Sequence, residues 1–284
     1  MRRLAMALAD TPIGLTLTYP SPPWTPGVSI LGFLPSLPPS AGTAELTIYM
    51  DTSWRNPMQL HLHILDADGT LAPWNDRICQ EAERIARLVT EKVPKRFHTK
   101  PVDVVVEHLA EATIPELGIG GRCYRRNLVT IELDPHNERF EESLKAGALG
   151  ETLAHELHHS MRHGTCGYGS SLGDALVSEG LADLFTQELT GCGTPIYCDA
   201  VDKARWPETV SLAEAFRDRF DHDHWAWFAG TGTLPRWAGY TLGYRLVQSF
   251  RALHPELPLH DLIDIPSDRI ISAAWIRMKQ YQPA

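Results

Sequence analysis

From Leu144 to Gly164 the side chains Leu144, Ala148, Leu149, Thr152, Leu153, Leu157 and Met161 recur at helical spacing, and the run His155-Glu156-Leu157-His158-His159 lies within them. A helix over these residues, stopped at Gly164, puts His155 and His159 four residues apart on one face. Two imidazoles at that spacing can meet one zinc ion, and Glu156 between them can reach a water beside it.

A catalytic zinc takes three protein ligands and keeps a fourth position open, so a further ligand has to come from another part of the chain. The next helical stretch, Asp174 to Leu189, supplies Glu179, with Asp183 one turn further on the same face. Gly180 and Ala182 flank Glu179 with small side chains that let helices approach closely. Asp183 is placed to accept the second ring N–H of a ligating histidine and fix its tautomer. His163 and Cys166 are rival third ligands, and His158 reads as a structural residue at the edge of the site.

These residues carry a resemblance. HExxH followed by a glutamate on a second helix resembles the gluzincin metallopeptidases, in which Glu-x-x-x-Asp supplies the third ligand and its partner. The run HELHHSMRHG, GYG and LGDALVSEGLADLF is similar, more closely, to a bacterial family of predicted zinc-dependent proteases, over about Ile64 to Phe250. The resemblance implies an α+β, zincin-like fold. A small N-terminal mixed sheet with a backing helix would be followed by the active-site helix and a mainly helical C-terminal lobe. It also implies one Zn2+ per chain, peptide-bond hydrolysis with Glu156 as base, and a tyrosine from a downstream helix on the developing oxyanion. Tyr240, in a Tyr-x-x-Gly setting, is the first choice and Tyr244, on the same helical face, the second. In zincins generally the strand beside the active-site helix is a sheet edge that can pair with an extended peptide, and here that edge is expected at Val129 to Leu133. A metzincin needs Gly and His where this chain has Arg162 and Thr165, and a deformylase-type thiolate ligand would have to be Cys123. Two other readings keep the same site: a zinc hydrolase acting on a non-peptide amide, ester or epoxide, and a catalytically silent zinc-binding protein.

The net charge of −9 argues against a nucleic-acid partner, whose phosphates require a basic surface. No apolar run is long enough to span a membrane. The five cysteines are scattered without a CxxC, as in a reduced, cytoplasmic protein, with a Cys192–Cys198 disulfide as the minority alternative. The partner that the resemblance implies is a peptide or protein substrate.

Along the chain, residues 1–43 hold Pro20, Pro22, Pro23, Pro26, Pro35, Pro38 and Pro39 and read as an arm without regular structure. The remaining 44–284 read as one catalytic unit, sheet-containing over about 44–163 and helical over about 164–284. Strands are expected at Leu46–Met50, Leu60–Leu65, Val102–Val106 and Asn127–Leu133. His61 and His63 share the solvent face of the second. A helix from Pro73 to Val93, capped by Asn75 or Asp76, should back the sheet. The connection with Pro115, Gly118, Gly120 and Gly121 reads as a loop, a lip over the cleft. Further helices are expected at Ser211–Phe220 and Asp268–Gln280, and Asp221-His222-Asp223-His224 reads as a polar cap or rim of the cleft.

Overall fold

A computed structural model describes residues 58–283. The proline-rich arm and the strand expected at Leu46–Met50 lie outside the described residues.

The described chain opens with β1 (Leu60–Leu65), α1 (Asn75–Lys92) and β2 (Val102–His108), a parallel pair joined by a helical crossover. It continues through β3 (Ile119–Arg125) and β4 (Leu128–Leu133) into a mixed four-stranded sheet of order β1-β2-β4-β3. Alternation builds one apolar face: Val102, Val104 and Val106 of β2 and Val129, Ile131 and Leu133 of β4 are buried. Ile78, Ala82, Ile85 and Val89 of α1 join the same core. His61 and His63 are on the other face, where both lie beside Asp103 of β2, at 3.5 and 2.9 Å.

The sheet edge is not where the resemblance placed it. β4 is interior, paired parallel to β2 and antiparallel to β3. The stretch expected to be a loop is the edge strand β3, joined to β4 through Asn127, whose φ is +70°. Its glycines are needed for close approach rather than for a turn. A Cβ on Gly120 would lie 2.4 Å from the Ala112 carbonyl oxygen, and one on Gly121 would lie 2.6 Å from Thr152 and 2.9 Å from Glu156. One smaller expectation also fails. α1 begins at Asn75 and neither Asn75 nor Asp76 caps it with a side chain. All five cysteines are free, so Cys192 and Cys198 are not bridged.

The helix carrying His155 and His159 is shorter than its periodicity suggested. α2 (Phe140–Ala146) carries Leu144 and ends at Gly147, whose φ of +101° breaks the helix before α3 (Ala148–His163) begins. Next come α4 (Leu172–Thr190), α5 (Trp206–Phe216), α6 (His224–Phe228), α7 (Ala238–Leu253) and α8 (Ser267–Lys279). α5 starts five residues earlier than expected and stops before Phe220. Ser171 and Asp174 form a reciprocal capping box that starts α4. α4 belongs to two apolar clusters: Phe185 and Leu189 to the sheet side, Leu172, Leu176 and Leu181 to the helical side. Against α7 it packs backbone to backbone, since a Cβ on Gly180 would sit 2.2 Å from the Gly243 carbonyl oxygen. Arg162 of α3, almost fully buried, donates to the carbonyls of Ile263 and Ile265 at 3.0 and 2.9 Å and ties the C-terminal segment to that helix.

Candidate metal centre

α3 and α4 bring His155, His159 and Glu179 together, each only 5 to 8% exposed. His155 Nε2 lies 3.1 Å from one Glu179 carboxylate oxygen, His159 Nε2 lies 3.4 Å from the other, and the two Nε2 atoms are 3.0 Å apart. Ligands about 2.0–2.1 Å from a tetrahedral zinc stand roughly 3.3 Å from one another, so these separations, two of them to different oxygens of Glu179, are of the size a zinc ion requires. The tautomers agree with that reading. His155 Nδ1 is 3.0 Å from Asp183 Oδ1, and His159 Nδ1 is 3.4 Å from Ser178 Oγ. With Nδ1 protonated in both rings, two Nε2 lone pairs and a carboxylate face one point, an arrangement that a cation relieves.

The electrostatics of the metal-free cluster follow from the same crowding. Burial opposes a charge on His155, but Asp183 and Glu179 outweigh it and hold its pKa well above the usual histidine range. Burial likewise opposes charge on Glu179, whose pKa is nonetheless held well below the usual range by His159 and His155. Glu156 differs: burial pushes its carboxyl up to about 7, against the pull of His155 and His159. A carboxylate poised there can take and return a proton near neutral pH. It lies against Gly121 of the edge strand, with its Cγ 2.9 Å and its Oε1 3.2 Å from where a Cβ would be.

Asp183 is wholly buried and accepts from the Tyr197 hydroxyl at 3.2 Å and the Cys198 thiol at 3.1 Å. The Tyr168 hydroxyl donates to Glu179 Oε1 at 2.6 Å. Sequence reasoning did not assign roles to Tyr168, Tyr197 or Cys198. The one available signal was the Gly167-Tyr168-Gly169 run, where both glycines take positive φ and turn the tyrosine inward. The 3-10 turn Ile196–Asp199 carried no such signal.

The two tyrosines of α7 separate. Tyr240 packs on Tyr197 at 4.8 Å and Phe228 at 5.1 Å, and its hydroxyl makes no hydrogen bond to the described residues. Burial and the carboxylates of Glu179, Asp183 and Glu156 raise its pKa well above the ordinary tyrosine value, so the hydroxyl keeps its proton for donation. Tyr244 is fully buried and its hydroxyl donates to Gln187 Oε1 at 2.6 Å. The rivals for the third ligand also fall away. His163 stacks on Tyr168 outside the cluster, and the Cys166 thiol is held by the Asp264 carbonyl. His158 packs on Phe185, buried, with its pKa pushed well down by burial. Asp223 caps α6 by accepting from the Ala226 amide, and His224 stacks on Phe228.

In this α+β chain two helices present two buried histidines and a glutamate to one point, a group that could hold a metal ion. Residues 83–272, about two thirds of the chain, match the family of predicted Zn-dependent proteases (DUF2268), and the chain belongs to that family. No curated protein and no solved structure matches it. No helix among the described residues is long and apolar enough to cross a membrane.

Proposed function

We propose that this protein is a zincin-type peptidase of the gluzincin pattern, with one zinc per chain held by His155, His159 and Glu179. The observation that carries the reading is the convergence of His155 Nε2, His159 Nε2 and the Glu179 carboxylate, with contacts of 3.0 to 3.4 Å, beside Glu156. Zinc at that point supplies Lewis acidity, which lowers the pKa of a water and polarises a carbonyl. Asp183 holds the His155 ring in the tautomer that leaves Nε2 free, and Tyr168 restrains Glu179. Glu156 takes the proton of the attacking water as the tetrahedral centre forms and passes it to the leaving amine. Tyr240 donates its hydroxyl to the oxyanion, a contribution of about 3 kcal/mol in sites of this type. The peptide lies along β3, whose edge opens beside Glu156, and pairs with it through main-chain hydrogen bonds. Glu156→Gln tests the assignment, because it keeps the shape and removes the base. Zinc content should stay at wild-type level while peptide turnover falls to background; turnover that survives would show that the base is elsewhere.

A further inference from the structure

Two segments wall the proposed metal site. On one side is β3, with Gly121 against Glu156. On the other is the first turn of α7, where Tyr240 packs on Tyr197 and Tyr197 bonds Asp183. At one end an ion pair joins these walls. Arg236, four residues before Tyr240, makes a two-pronged contact with Glu116, five residues before Gly121 on the approach to β3, at 2.5 and 3.1 Å. No helix or strand contains either residue, and they are 120 positions apart in the chain.

Arg236 is held in place before any ligand arrives. Its guanidinium lies 3.9 Å over the Trp237 ring, and Trp237 itself occupies the left-handed region at φ +63°. The loop behind it folds tightly on Gly230, where a Cβ would lie 2.6 Å from Arg236 Cα, and Arg205 ties the Thr233 carbonyl at 3.0 Å. Both partners of the ion pair are a little over 40% exposed, so water and other anions reach them. A planar guanidinium that already holds one carboxylate in a fork can exchange it for another at little net cost.

A peptide that pairs antiparallel with β3, the better-bonded arrangement, runs its C-terminal end toward the strand's N-terminal end. That is where Glu116 and Arg236 stand. Beyond Ile119, which is already bridged to Ile114, the outer edge of β3 is closed at this end. We infer that Arg236 is a binding site for the free α-carboxylate of the substrate, with Glu116 as its resident placeholder. The protein then removes a short C-terminal piece and does not cut within long chains.

This inference rests on the peptidase reading, and the test separates the two. The zinc-loaded full chain is given two N-acetylated peptide libraries of the same sequences, one ending in free acids and one in amides, with products read by mass spectrometry. Binding of the same libraries is measured on the zinc-loaded Glu156→Gln protein. Free acids should be trimmed from the C-terminus with kcat/KM about 10- to 100-fold above the amides, the range of a charge-assisted bidentate contact. Arg236→Gln should erase that preference through KM and Arg236→Lys restore part of it. Glu116→Gln should lower KM for free acids. Equal cleavage of both libraries, internal cuts, or a preference that persists in Arg236→Gln would overturn carboxylate recognition and leave the peptidase reading intact. Free-acid-selective binding to Glu156→Gln with no cleavage by the wild type would support the carboxylate site and sink the peptidase reading.

Discussion

Gly180→Ala probes the contact that sets the distance between α4, which carries Glu179 and Asp183, and α7, which carries Tyr240. The new methyl carbon would stand 2.2 Å from the Gly243 oxygen, 2.3 Å from its carbonyl carbon and 2.9 Å from the Tyr244 nitrogen. Ordinary contact needs about 3.4 Å or more, so the helices must separate by about 1 Å. The obstructing atoms are backbone, and no rotamer change relieves them. The contact is reciprocal, because a Cβ on Gly243 would strike the Leu176 oxygen at 2.2 Å. Overpacking of this kind costs up to about 3 kcal/mol, against about 1 kcal/mol gained from replacing glycine in a helix interior, which leaves a loss of about 2 kcal/mol. With a urea slope of about 2 to 3 kcal/mol per molar, the midpoint should fall by roughly 0.7 to 1 M. Zinc affinity should fall with it, because Glu179 is the adjacent residue. Gly193→Ala is the control, since nothing lies within 4 Å of that Cβ, and it should leave the unfolding free energy within about 0.5 kcal/mol of wild type. A Gly180→Ala protein at least as stable as wild type would refute the backbone-contact argument.

Three further outcomes follow from the site. Asp183→Asn offers one acceptor oxygen to three donors and removes the charge that orients His155, so zinc affinity measured by chelator competition should drop about 10- to 100-fold; an unchanged affinity would mean that Asp183 does not set the tautomer. Tyr240→Phe should lower kcat about 100-fold or more with zinc retained, whereas Tyr244→Phe should leave kcat near wild type and lower stability by about 1 kcal/mol for the lost Gln187 bond; the reverse pattern would exchange their roles. Zinc binding should weaken on acidification. The proton held on His155 above the usual range must leave before Nε2 can ligate, so affinity is greatest at alkaline pH and falls by about tenfold per pH unit for each proton displaced. Competition titrations at about pH 8 and about pH 6 check the sign, and equal affinities at both would contradict it.

The sequence by itself determined the elements that local spacing encodes. His155, Glu156 and His159 share a helix turn, Glu179 and Asp183 share another, and an i, i+4 relation within a helix needs no knowledge of the rest of the chain. β1, β2 and β4 were legible from alternating apolar residues, α1 from its apolar stripe, and helices were expected around Tyr240 and Tyr244 and over Asp268–Gln280. The edge strand was not legible, because Gly120 and Gly121 look like loop residues until Ala112, Thr152 and Glu156 are seen crowding the space where their side chains would be. The order of strands likewise depends on pairing between distant segments, so the interior position of β4 had no local trace. Tyr240 and Tyr244 are equivalent by helical position. Only the tertiary structure separated them, by seating Gln187 at the hydroxyl of one and a ring of carboxylates around the other. The same holds for Tyr168, Tyr197 and Cys198, whose contacts to Glu179 and Asp183 span 11 to 15 residues and cross from loop to helix. Ligand spacing is a property of one helix and survives in the sequence, while the partners that orient those ligands are chosen by packing.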